Sequence, residues 1–193
     1  MIRTFVRASL AVAVLGVLTG LVYPIAITAV AQIALRDRAD GSLLEANGRP
    51  VGSSLIGQAW SGPGWFYGRP SVVAYDASTS SGSNLGPRSR RLAGEIRTRA
   101  AAIVDLEGRY HPGLTVADIP ADLLTASASG LDPDITPEAA RFQAPRIAAV
   151  RGLPLEHVLR LIDEHTQGRT LGFLGAPRVD VLELNLALEQ AST

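Results

Sequence analysis

Apolar residues fall into two regimes along the chain. From Ala8 to Leu35 no residue carries a formal charge, a run of 28 positions. As an α-helix this run would reach about 42 Å at ~1.5 Å per residue, against a hydrocarbon core of about 30 Å. The pattern predicts one transmembrane helix at 8–35, a short head at 1–7 and a polar stalk at 36–52. Pro24 removes a backbone donor and predicts a kink, which membrane helices tolerate. Gly16 and Gly20 form a G-x-x-x-G, a flat strip that a neighbouring helix can approach closely. A cleaved signal peptide is the competing reading, because Ala29-Val30-Ala31 resembles a cleavage site. The apolar run exceeds the ~7–15 residues of a signal core, which favours an uncleaved anchor. Basic residues are nearly balanced across the span, with Arg3 and Arg7 before it and Arg36, Arg38 and Arg49 after it. The short head and long following domain favour a cytoplasmic amino terminus and an extracytoplasmic main domain.

Residues 53–193 alternate short apolar runs with glycine and proline. Two runs, Ser54-Leu55-Ile56-Gly57 and Trp65-Phe66-Tyr67, read as strands. A small-residue loop follows at 78–86. Leu92, Ile96, Ile103 and Val104 then recur at helical intervals, with Gly108 as the stop. Thr136 before Pro137 is an N-cap followed by proline at the first helical position. Pro145 should break or kink that helix. Leu155, Val158, Leu159 and Ile162 make an amphipathic helix closed by Gly168. Residues 171–179 read as a further strand, and Asp180 with Glu183 reads as a capping box opening the last helix. The class is α+β, a mixed α/β domain with a small sheet on one N-terminal transmembrane helix.

Composition excludes several chemistries. The chain has no cysteine, and its Lys+Arg total of 18 is entirely arginine. Disulfides, thiolate metal sites and cysteine nucleophiles are therefore absent. A Walker A loop needs lysine, as does a Schiff-base enzyme. The formal net charge is +0, a poor balance for nucleic-acid binding.

Candidate chemistry is sparse. His157 and His165 lie about 12 Å apart if both sit on one helix, too far for one metal ion. Ser127 and Ser129 sit in a small-residue segment without a G-x-S-x-G, so a serine hydrolase lacks its usual frame. The Ser80-Ser81-Gly82-Ser83-Asn84-Leu85-Gly86 loop can form an anion nest, face a cation, or simply connect two elements. Asp132 and Asp134 flank Pro133 near the next helix start, where acids favour the helix dipole.

Several stretches, in order, resemble the C subunit of the bacterial Kdp potassium-transporting ATPase. They are Thr19-Gly20 with Tyr23-Pro24; residues 52–58; Trp65-Phe66-Tyr67-Gly68-Arg69-Pro70-Ser71; residues 80–87; residues 120–133; Pro137-Glu138-Ala139-Ala140; Gln143-Ala144-Pro145-Arg146; and residues 177–185. Asp134 and Asp180 depart from the family pattern, where histidine and asparagine are expected. Arg88, Arg90 and Arg91 make the segment after the small-residue loop more basic than usual. The resemblance implies an accessory, non-catalytic subunit of an ATP-driven potassium uptake complex in the bacterial inner membrane. Its implied partners are a channel-like potassium-binding subunit, a catalytic P-type ATPase subunit and a very small membrane subunit. It also implies a role in assembly and in raising the ATP affinity of the catalytic subunit, with nucleotide bound through that partner and no cofactor of its own. Candidate partner contacts are Gly16, Gly20, Ser81, Gly82, Ser83 and Asn84. The alternatives are an anchored extracytoplasmic serine hydrolase and a free-standing binding module.

Overall fold

Residues 1–46 and 48–191 are described by a computed structural model. They divide into two units, Met1–Leu43 and Leu44–Thr193.

The first unit is dominated by one apolar helical run, Ile2–Ala34. It comprises α1 (Ile2–Val17), a π turn (Leu18–Val22) and α2 (Tyr23–Ala34). The π turn has a local cause. Pro24 has no N–H, and its ring crowds the carbonyl four residues earlier. Widening the preceding turn relieves that crowding, and the Tyr23 N–H donates to the Leu18 carbonyl, five residues back. None of the three segments has a buried residue. An apolar helix exposed all round fits a lipid environment. A short α3 (Arg36–Ala39) follows, and Gln32 Nε2 donates to Asp40 Oδ1 at 2.9 Å.

β1 (Leu43–Ala46), which begins at the last residue of the first unit, and β2 (Arg49–Ser53) pair as a two-stranded sheet. Much of the polar stalk read from sequence is therefore regular structure. The helices of the second unit are α4 (Arg90–Glu107), α5 (Ala121–Leu124), α6 (Pro137–Arg151), α7 (Leu155–Glu164) and α8 (Val181–Ala191). A second sheet has the order β3-β5-β4, from β3 (Asp134–Ile135), β4 (Thr166–Gln167) and β5 (Arg178–Asp180). Both pairings are antiparallel, with Ile135 and Thr166 each opposite Val179. The class is mixed helix and small sheet, as the patterning predicts.

The helix starts follow from side-chain caps. Ser89 Oγ accepts from the Leu92 N–H, Thr136 Oγ1 from Ala139 and Asp180 Oδ1 from Glu183. Pro145 does not end α6. Its missing bond frees the Arg141 carbonyl at an exposed residue, while Ala139, Ala140, Ala144, Ile147 and Ala148 are buried on the same helix. Gly152, at φ 66°, closes α6 in the left-handed conformation. α7 stops before Gly168 because Thr166 and Gln167 pair with β5. Val158, Ile162, Val179, Leu184 and Leu188 join the α6 residues and Phe66 in one apolar core.

Three expected strands are corrected. Residues 54–57 form a turn, 65–67 run irregularly, and 171–177 precede a strand confined to Arg178–Asp180. The reason at 65–67 is that helix side chains take the place of a ladder. Asn185 Oδ1 accepts from the Phe66 N–H at 2.9 Å and its Nδ2 donates to the Phe66 carbonyl at 3.0 Å. Gln143 does the same for Tyr67, at 2.8 and 3.1 Å. Arg146 is wholly buried and donates to the carbonyls of Pro63 and Trp65, to Gln143 Oε1 at 3.0 Å and to Glu107 Oε1 at 2.7 Å. Burial pushes the Glu107 carboxyl above its usual range, against the pull of the Arg146 guanidinium.

Removing one partner of a buried ion pair costs about 3–5 kcal/mol, because the other charge stays buried. Arg146→Ala should therefore destabilise the full chain in detergent by that amount, measured by chemical denaturation. A loss under about 1 kcal/mol would contradict the role given to this side chain.

Candidate functional site

The sequence-predicted contact residues fall in two places. Gly16 lies in the last turn of α1 and Gly20 in the π turn. A Cβ built on either meets nothing within 4 Å, so both present bare backbone. Thr19 is satisfied within the helix, donating to the Leu15 carbonyl at 2.8 Å.

The loop at 80–86 packs on the second small-residue segment. The Ser81 N–H donates to the Ser129 carbonyl at 2.9 Å, and Ser80 Oγ donates to the same oxygen at 3.2 Å. A Cβ on Gly82 would stand 2.7 Å from the Ala128 carbonyl, and one on Gly130 would stand 2.8 Å from the Ser81 carbonyl. Small residues are needed here because two backbones touch. Ser83 Oγ accepts from the Leu85 N–H. Asn84 is exposed and left-handed, at φ 52°. Asparagine tolerates that conformation better than most residues. The loop thus has a fixed inner edge and a free outer tip.

The serine-hydrolase constellation does not assemble. Ser127 is 3% exposed and its Oγ accepts from the Gly130 N–H at 2.9 Å. The histidines are engaged elsewhere: His111 with the Phe142 carbonyl, His157 with Arg160 and His165 with the Leu161 carbonyl. Among the described residues, no group of three or more His, Asp or Glu is arranged to hold a metal ion.

The two departures from the resembled pattern face each other. Asp134 and Asp180 are direct partners across β3 and β5. Asp180 is 3% exposed, and its pKa is pushed up to about 6, first by burial and then by the charges of Glu183 and Asp134. The Glu183 N–H pulls it down. Burial also raises Asp134, whose carboxylate pairs with Arg178 at 3.2 Å. Sequence reading flagged both acids separately but had no signal that they are opposed. It also missed Gln143, Arg146 and Asn185 as the grip on 63–67, although each lies in a stretch that carried the resemblance.

Taken together, these features define an α+β protein with one long apolar N-terminal helix and, among its described residues, no assembled hydrolase or metal centre. The family model for KdpC, the c chain of K+-transporting ATPase, matches residues 5–190. A potassium-transporting ATPase KdpC subunit of Herpetosiphon aurantiacus is 48% identical over 192 residues, covering 97% of each chain. The Caulobacter vibrioides subunit is 52% identical over 176 residues, covering 90% of this chain and 86% of its own. The Myxococcus xanthus subunit is 48% identical over 193 residues, covering 98% and 89%. The chain belongs to the KdpC family of potassium-transporting ATPase subunits.

The raised Asp180 carboxyl makes a pH prediction. Its folded pKa lies above the unfolded value, so its contribution to stability is full below the ordinary aspartate range and is lost as pH rises through about 6. Asp180→Asn keeps an N-cap acceptor and removes the titration. The variant's advantage over the parent should therefore grow between pH 4 and 7, by up to about 3 kcal/mol. An advantage that is constant across that range in parallel denaturation curves would contradict the assignment.

Proposed function

We propose that this chain is the accessory, non-catalytic subunit of an ATP-driven potassium uptake complex of the bacterial inner membrane. The observation that carries the reading is the family match across residues 5–190. In this reading residues 8–35 span the membrane once, the 1–7 head is cytoplasmic, and 36–52 link the span to an extracytoplasmic domain at 53–193. Arg3 and Arg7 on a short head support that orientation. The partners are the channel-like potassium-binding subunit, the catalytic P-type subunit and the very small membrane subunit.

The chain's part is to assemble or stabilise the complex and to raise the catalytic subunit's affinity for ATP. The lack of lysine supports this division of labour, since phosphorylation at an Asp-Lys-Thr motif must lie on another chain. The ATP effect then travels through the assembly. The domain faces the outer side, where nucleotide is scarce.

Two contacts follow from the candidate residues. The bare strip at Gly16 and Gly20 packs on a neighbouring span. The tip at Asn84, with Ser81, Gly82 and Ser83 behind it, touches the pump near its outer entrance.

The decisive experiment is detergent copurification of the tagged chain, with mass-spectrometric identification of what comes with it. The transporter subunits are expected. Gly16→Leu with Gly20→Leu should lower their recovery about tenfold, corresponding to ~1.4 kcal/mol of lost packing. Full recovery would remove the strip's role. Asn84→Asp should weaken apparent potassium affinity in uptake assays while leaving the fold intact. Unchanged uptake and assembly would remove the loop's role.

A further inference from the structure

Between β4 and β5 the chain turns outward. Thr170 and Leu174 form an isolated antiparallel bridge, each N–H donating to the other's carbonyl at 2.9 Å. The Gly172 N–H donates to the Arg169 carbonyl at 3.0 Å. This small hydrogen-bonded turn presents Leu171 at 79% exposure, Phe173 at 68% and Leu174 at 49%. Leu171 is held at φ 54°, a left-handed conformation costing a leucine about 1–3 kcal/mol. The core does not use these side chains, yet the backbone fixes them in place.

Beside the tip lies an open cavity of about 380 Å3, whose wall continues directly from it through Gly175, Ala176, Pro177 and Arg178. Its charged lining is Asp122, Asp132 and Asp134 against Arg69 and Arg178. The guanidiniums are bound within the wall, Arg69 to Asp132 at 3.1 Å and Arg178 to Asp134 at 3.2 Å. One carboxylate remains in excess.

We propose that the tip at 171–174 and this acid-rich cavity form one docking surface for another subunit of the potassium-transporting ATPase, one presenting an apolar cleft bordered by a lysine or arginine. The proposal rests on the accessory-subunit reading and names a contact within it. Fixed apolar anchors suit a protein pocket, because little ordering is left to do on binding. Charge favours a protein partner over the bilayer. A loop that inserts among anionic headgroups is flanked by free basic residues. Here one basic residue, the exposed Arg169, stands beside the tip, but the adjoining wall is net negative, Arg178 is bound, and the Leu44–Thr193 unit holds 14 arginines against 16 acids. The excess carboxylate of the wall suits a basic side chain on the partner.

The test uses the full chain coexpressed with the rest of the transporter, with a photoreactive benzoylphenylalanine in place of Phe173. Light should link this chain to another transporter subunit. Leu171→Ser with Phe173→Ser should lower subunit recovery at least about tenfold, the scale of an interface anchor, with the melting temperature of the chain unchanged. Asp134→Asn, nearly the same shape, should lower the photoadduct yield about threefold or more, the scale of a weak charge pair. Adducts only to lipid, only to a second copy of the chain, or to nothing, from a complex that copurifies normally, would overturn the proposal. An unchanged yield in Asp134→Asn would overturn the cavity's part in it. Failure of the unmodified chain to copurify with any transporter subunit would overturn the accessory reading instead, so the two failures are distinguishable.

Discussion

One buried cation organises the Leu44–Thr193 unit. Arg146 has no exposed surface, and its guanidinium joins three parts of the chain: Glu107 at the end of α4, Gln143 one turn earlier on α6, and the carbonyls of Pro63 and Trp65. The Tyr67 ring lies 5.0 Å from it. Arginine suits this position because its planar fork delivers several donors in fixed directions, and a lysine ammonium does not. The 54–89 segment contains no helix or strand and is longer than most ordered loops. It is ordered by Arg146, Gln143 and Asn185, with Ser71 Oγ donating to the Gly130 carbonyl at 2.6 Å and the Tyr75 hydroxyl donating to the Arg69 carbonyl.

This arrangement explains which parts of the fold were legible in the sequence. Caps and helical spacing are local signals, so α6 and α8 could be read from Thr136-Pro137 and from Asp180, and α4 and α7 from their apolar periodicity. The apolar span needed only its length. The Trp65-Phe66-Tyr67 run could not be read correctly, because its hydrogen-bond partners lie 76 and 119 residues away. Aromatic enrichment predicts a strand there, and no local pattern shows that side-chain amides replace the neighbouring strand. The Leu171–Leu174 tip misled in the same way. Residues 171–179 read as a strand, but Gly172 and Gly175 sit at positive φ and turn the first part outward. At the candidate site, the small residues at 80–86 and 127–130 were visible, but their mutual packing was not. Gly82 against the Ala128 carbonyl supplies the reason for both compositions.

The apolar helix and the Leu44–Thr193 unit meet the same backbone demand by different means. At Pro24 the missing N–H leaves a helix carbonyl without its usual donor, and the disturbance is absorbed within the apolar helix by a π turn in which the Tyr23 N–H reaches the Leu18 carbonyl. In the Leu44–Thr193 unit the disturbance at Pro145 frees a carbonyl at an exposed residue, and α6 runs on. Polar atoms deep inside that unit cannot use solvent. Gln143 therefore spends both ends of its amide on Tyr67, Arg146 and Ala139.

The bond between Phe66 and Asn185 also constrains the order of events during synthesis. The two residues are 119 positions apart, so the aromatic segment emerges long before the side chain that holds it. At about 5–20 residues per second the gap lasts roughly 6–24 s. Throughout that interval residues 63–67 lack a strand partner and part of their side-chain grip. Closure waits for α8, which carries Asn185. A chain cut short before Asn185 would keep most of its helices and still leave the Phe66 N–H and carbonyl without the side-chain amide that pairs them.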